Sequence, residues 1–216
     1  MSSARGLGGG APHGAVLIGS GNPGKQREWR DLLAGLDVVL VVPEDLDPIP
    51  AEPEEQGRTF AENAAHKARA YAVATGLRTV ADDSGLEVDA LHGAPGLRSR
   101  RFFGEDTTAE ERNTRLLALL EGVAARGARF VCVAALAAPD GRVELFDGEV
   151  RGEIGAALRG AHGFGYDPLF VRLDYNKTFA ELDPSIKNRI SHRARALERA
   201  RLVLEKILSN RAENPR

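Results

Sequence analysis

Short apolar runs separated by helix-patterned stretches constrain this chain more than any other feature. Ala15-Val16-Leu17-Ile18 reads as a buried strand, followed by a Gly-rich turn and a helix through Trp29, Leu32 and Leu33 that stops near Gly35. Val38 to Val42 is a second strand-like run. Thr59 opens the next helix as N-cap, with Glu62 three residues on in capping-box position, and Phe60, Ala64, Ala68 and Tyr71 mark its apolar face. Thr79 to Ala81 returns to strand, and Thr107 or Thr108 caps a helix ending near Gly122. Phe130–Ala138 and Val143–Val150 flank Pro139-Asp140-Gly141, a hairpin signal. A second Gly-rich segment, Gly160 to Asp167, precedes the short strand Leu169-Phe170-Val171. Ile190, Ala194, Leu197, Leu204 and Ile207 then repeat at helical spacing. Helices alternating with strands early and a hairpin late predict a mixed sheet flanked by helices, in an α/β or α+β fold. There is no internal repeat and no interdomain linker.

A chain of 216 residues can bury a full core as one domain or as two lobes sharing a sheet. Its formal net charge of −2 argues against a nucleic-acid surface, which is usually strongly basic, while leaving room for a local basic pocket. The single cysteine, Cys132, lies in an apolar run, which excludes an intrachain disulfide and a thiolate zinc cluster. No stretch approaches the roughly 18 apolar residues of a membrane span. Residues 1–13 lack the apolar core of a signal peptide and read as a disordered leader, so the expected setting is cytoplasmic.

Four segments carry the chemistry. Residues 80–85, Val-Ala-Asp-Asp-Ser-Gly, end a β-prone run in two carboxylates, a hydroxyl and a glycine. Strand ends are where α/β enzymes place their chemistry, and oxygen ligands there suit Mg²⁺. If the strand continues, Asp82 and Asp83 point to opposite faces, so one holds structure while the other faces a cleft; ordinary turn chemistry is the alternative. Gly19 to Lys25 fits the first part of a P-loop, but position 26 is Gln where Ser or Thr would hold Mg²⁺, and Pro23 removes an amide donor. The segment therefore reads as phosphate-binding without being a true P-loop. Asn63 and Lys67 share a helix face after an acidic, Pro-rich loop, from which one carboxylate could join the Asp pair around a metal. Gly163-Phe164-Gly165-Tyr166-Asp167-Pro168 offers two aromatics for stacking on a flat ring and a carboxylate that accepts from ring or ribose donors. Lys187-Asn188-Arg189-Ile190-Ser191-His192-Arg193, read as the start of the last helix, sets cations against the helix dipole and so points to an anionic or carbonyl-rich ligand.

Six motifs occur in order: Ser20-Gly21-Asn22-Pro23-Gly24-Lys25, Thr59-Phe60-Ala61-Glu62-Asn63-Ala64 with Lys67, Ala81-Asp82-Asp83-Ser84-Gly85-Leu86, Gly93-Ala94-Pro95-Gly96, Gly163 to Pro168, and Ser191-His192-Arg193. Together they resemble the inosine/xanthosine triphosphate pyrophosphatase family, over about residues 14 to 209. The resemblance implies Mg²⁺-dependent hydrolysis of deaminated purine nucleoside triphosphates (ITP, dITP, XTP) to the monophosphate and pyrophosphate. It implies an elongated mixed sheet in two lobes with the active-site cleft between them. One catalytic domain would span 14–209, followed by a tail at 210–216, and the molecule would be a homodimer acting on neither nucleic acid nor membrane. By the same resemblance Ser20, Gly21, Asn22, Pro23, Gly24 and Lys25 bind the triphosphate, with Lys67 and Lys187 as further phosphate contacts. Glu54 and Asp83 ligate the metal, Asp83 is the catalytic carboxylate, and Ser84 lies beside it. Phe164, Gly165, Tyr166 and Asp167 form the wall against which the base stacks, and His192 and Arg193 read the purine 6-keto oxygen. The alternatives are a P-loop-like NTPase or kinase, and a non-catalytic nucleotide-binding module. The leader and the very basic Arg98-Ser99-Arg100-Arg101 depart from the family pattern.

Overall fold

The computed structural model describes residues 14–213; the expected leader, residues 1–13, lies outside them. Among the described residues seven strands pair in the order β2-β1-β3-β4-β5-β6-β7. They are β1 (Val16–Ile18), β2 (Leu40–Val41), β3 (Arg78–Val88), β4 (Gly127–Ala137), β5 (Val143–Ile154), β6 (Phe170–Arg172) and β7 (Lys177–Thr178). Among the described residues five α-helices accompany them: α1 (Pro23–Leu32), α2 (Phe60–Thr75), α3 (Ala109–Leu119), α4 (Pro184–Ile190) and α5 (His192–Glu213). The parallel β1 pairs with β2 and β3, and the antiparallel β5–β6 and β6–β7, make the sheet mixed, as the alternation of elements predicts. Among the described residues no helix is long and apolar enough to cross a membrane.

The chain divides into two compact units. The first comprises the residues up to Asp83, Ala134–Phe146 and those from Leu197 on. In it β1 has a parallel neighbour on each side, so all three of its residues are buried and its sequence is continuously apolar. Ala15, Leu17, Val41 and Tyr71 form the core there. Asn22 caps α1 with Pro23 in its first turn, and α2 begins at N-cap Thr59 and ends on Gly76 in the left-handed region. Thr59 Oγ accepts from Glu62 N as a capping box requires, whereas the Glu62 carboxylate accepts from Arg58 N.

The second unit comprises Ser84–Val133 and Asp147–Ala196. Its core gathers Leu86, Val88, Leu116, Leu120, Val150 and Phe170 with further apolar side chains. From Asp147 onward β5 alternates exposed and buried residues, and two of the buried positions are glycines. A Cβ at Gly148 would collide with the His192 carbonyl of α5, and one at Gly152 with the Phe170 ring of β6.

Two expectations change. The strand does not end at the Asp pair but runs on through Leu86 and Val88, both fully buried, because alternating apolar residues keep it in the core. The basic segment does not open one helix: Ser191 takes an extended backbone and separates α4 from α5. Lys187 and Arg189 therefore lie in the last turn of α4, where the dipole favours cations, and only His192 and Arg193 stand at the start of α5.

Candidate active site

In the first unit the Gly19–Gln26 loop is a capped helix start. Gly19 N donates to Val80 O, Ser20 N to Ile18 O, Asn22 N to Ser20 Oγ, and Gln26 N to Asn22 O. Asn22 Oδ1 accepts from both Gly24 N (2.9 Å) and Lys25 N (3.2 Å). A P-loop needs those amides for phosphate, so this backbone is not one. Gln26, in the position of the P-loop hydroxyl, instead ties the loop together by donating to Ser20 O at 2.7 Å and to Glu44. The cationic element here is Lys25 itself.

Asp82 and Asp83 are both buried and serve different partners, as strand alternation predicts. Asp82 Oδ1 accepts from the Trp29 indole at 2.9 Å, and Oδ2 lies 3.0 Å from Lys25 Nζ. Asp83 Oδ2 accepts from Asn63 Nδ2 at 2.9 Å, while Asn63 Oδ1 accepts from Gly57 N at 2.7 Å. Gly57 leaves room for this arrangement: a Cβ there would sit 2.5 Å from Asn63 Oδ1. Burial pushes the Asp83 carboxyl above its ordinary range; Lys25, Asn63 and Lys67 pull it back and Glu55 adds to the rise, leaving it raised. Lys67, also buried, pairs with Glu55. Burial lowers its pKa, but Glu55, Asp82 and Asp83 outweigh that and the net shift is upward.

The resemblance singles out Glu54 as the acidic partner. Glu54 is exposed and accepts from Gln56, whereas it is Glu55 whose charge bears on Asp83 and Lys67.

In the second unit the Gly163–Asp167 loop is fixed at several points. Gly163 has φ +75°, and a Cβ there would collide with the Asp167 carboxylate. Asp167 Oδ2 accepts from Phe164 N at 2.8 Å and from Lys187 Nζ at 2.5 Å. Asn113 Nδ2 of α3 holds Gly165 O at 2.9 Å. The two aromatics part company. Tyr166 is 4% exposed, lies in the core and donates its hydroxyl to Ser99 O, so it is a structural anchor, and burial lifts its pKa to about 12. Phe164 stays half-buried, with Lys187 Nζ 4.9 Å and Arg193 Cζ 5.7 Å from its ring centroid. The Asp167 carboxylate thus serves Lys187 and the loop backbone, and the Lys187 ammonium lies against the Phe164 ring.

Arg193 is 1% exposed, and its Nη2 donates to Ser84 Oγ at 2.9 Å. The His192 ring stacks on Phe130 at 4.7 Å and 11°. Trp29, Glu55, Asn63 and Asn113 are supporting residues whose roles depend on contacts far along the chain, which short motifs do not display.

One unit carries paired buried carboxylates beside Lys25 and the buried Lys67, the other an aromatic ring among cations, and charged groups fixed in this way are equipment an enzyme uses. The family model described as the Ham1 family matches residues 16–202, and the chain belongs to that family. A dITP/XTP pyrophosphatase of Desulforamulus reducens is 48% identical over 196 residues, 89% of this chain and 96% of the relative. One of Deinococcus deserti is 50% identical over 182 residues, 84% of this chain and 85% of the relative. Among solved structures, a HAM1 protein from Coxiella burnetii superposes with a TM-score of 0.80 at 41% identity, covering 89% of this chain and 98% of its own.

Proposed function

We propose that this enzyme hydrolyses ITP, dITP and XTP to the monophosphate and pyrophosphate. The observation that carries the reading is Asp83, a buried carboxylate of raised pKa that Asn63 orients beside two lysines. A carboxylate made more basic by burial and held in one orientation is suited to take a proton from an attacking water. Lys25 and Lys67 offset charge on the phosphates and on the departing pyrophosphate. The names of the relatives supply the substrate class.

The donors at Asp83 fit Mg²⁺. Carboxylate oxygens are hard ligands, and Mg²⁺ commonly takes only one or two of them, filling its shell with substrate phosphate and water. Asp83 would hold the ion, with a carboxylate of the adjacent Glu54 and Glu55 as the second ligand. Bound there, the ion would neutralise charge on the phosphate oxygens.

Selectivity rests on Arg193 and Phe164. A guanidinium only donates, so it suits the C6 carbonyl of hypoxanthine and xanthine. Adenine presents an amino group there, and the unsatisfied donors cost about 1–3 kcal/mol. A panel of nucleoside triphosphates with Mg²⁺, scored for monophosphate and pyrophosphate, tests the reading. ITP, dITP and XTP should turn over far faster than ATP or the pyrimidine triphosphates. Equal rates for ATP and ITP would refute the base-reading role, and release of orthophosphate with the diphosphate would favour the P-loop alternative.

Gly57→Ala should lower kcat on ITP by at least about tenfold, because the new Cβ displaces Asn63 and with it the orientation of Asp83. Steady-state kinetics alongside a melting curve checks this; unchanged kcat would show that Asn63 does not govern Asp83.

A further inference from the structure

The family motifs single out Lys25 and Asp83 but leave Trp29 without a part. Trp29 is the chain's only tryptophan and is fully buried, one helical turn after Lys25 on the same face of α1. Its indole N–H is spent on Asp82 Oδ1. The other oxygen of that carboxylate holds Lys25 Nζ at 3.0 Å, and the Asp82 backbone carbonyl accepts from the same nitrogen at 3.3 Å. An ammonium has three donors, so Asp82 accounts for two and fixes the direction of the third. The Asp82 carboxylate is itself fully buried, and its rotation about χ2 decides where Oδ2 lies. The indole N–H, placed by a rigid buried side chain, holds Oδ1 and so constrains that rotation.

We propose that Trp29 is a positioning residue for phosphate recognition: through Asp82 it aims the Lys25 ammonium at the polyphosphate of the substrate. This rests on the reading of Lys25 as a phosphate contact. Phenylalanine would fill most of the same space and offer no N–H, so Asp82 Oδ1 would lose the donor that fixes its direction and the aim of Lys25 would loosen. The consequence falls on groups shared by every triphosphate and leaves base discrimination alone.

The test uses inorganic tripolyphosphate, which has no base, and the full chain. In calorimetry Trp29→Phe should bind tripolyphosphate roughly tenfold more weakly than the parent, the usual scale for a hydrogen bond to a charged group. KM should rise by the same factor for ITP, GTP and ATP while kcat stays within about threefold, so that their ratios do not move. A purely structural role would lower the melting temperature without that uniform KM shift. Parent-like tripolyphosphate affinity in a folded Trp29→Phe would overturn the proposal. Should that variant not fold, the parent carries the test, because its tryptophan emission, excited at wavelengths tyrosine does not absorb, comes from Trp29 alone. Tripolyphosphate should then change the tryptophan emission saturably, and Lys25→Gln should abolish the change; flat emission at saturating ligand overturns the proposal. No tripolyphosphate binding by the parent would defeat both this and the phosphate role of Lys25. Binding weakened by Trp29→Phe in a protein that fails to hydrolyse ITP would leave the relay standing and refute the proposed activity.

Discussion

Asp83→Asn is expected to abolish turnover of ITP and, in the same protein, to raise the melting temperature at pH 7 in the presence of EDTA. The loss of activity follows from removing the proposed base and the negative charge while keeping the shape. The gain in stability follows from burial, which holds the folded pKa of Asp83 above its ordinary value of 3.8. In the unfolded chain the carboxyl ionises at that lower value. The contribution Asp83 makes to stability is therefore complete below about pH 3.8, where the group is neutral in both states, and is lost as pH rises through the folded pKa. At pH 7 the ionised group opposes folding, and the neutral amide does not. The difference between variant and parent should shrink as the pH approaches 4, with each kcal/mol worth about 2–4 °C in a chain of this size. Activity within tenfold of the parent would remove Asp83 from the mechanism. A lower melting temperature at pH 7 would mean that Lys25 and Lys67 depend on its charge more than its burial costs.

Such a carboxylate is legible in the sequence only in part. The β-prone run into Asp82-Asp83 marks a strand with paired acids, and period-two alternation correctly separates their partners: Trp29 and Lys25 for one, Asn63 for the other. What alternation cannot supply is where the strand stops, because Ser84-Gly85 reads equally as a turn, and it is the burial of Leu86 and Val88 that carries β3 onward. The break at Ser191 is hidden for a related reason. Residues 184–213 are helix-patterned almost throughout, and only one extended residue re-aims His192 and Arg193. The loop motifs fared differently. Gly163-Phe164-Gly165-Tyr166-Asp167 was visible as a segment, yet its two aromatics have opposite fates. Tyr166 has Ser99 O and the core to satisfy it, and Phe164, with no polar atom, remains beside the cations. Those partners are dozens of residues away in sequence, so composition and spacing are silent about them.

On the proposed reading, Arg193 contacts the C6 carbonyl of the base and its loss falls on selectivity. Replacing it with alanine should lower kcat/KM for ITP by about 10- to 150-fold, the cost of one hydrogen bond to a charged group, while ATP, which never made that bond, loses little. The guanidinium is buried on Ser84 and beside Phe164, so the variant also leaves a void and should melt at a lower temperature. For that reason the informative quantity is the ratio of ITP to ATP, which a general loosening of the fold does not change. Arg193→Lys separates the parts further. It keeps charge and much of the volume but lacks the rigid fork, so it should recover stability more fully than discrimination. Lys25→Ala, by contrast, should depress every triphosphate together. A uniform loss across the panel for Arg193→Ala would place this arginine on the phosphates, and the substrate would then have to bind in the opposite sense.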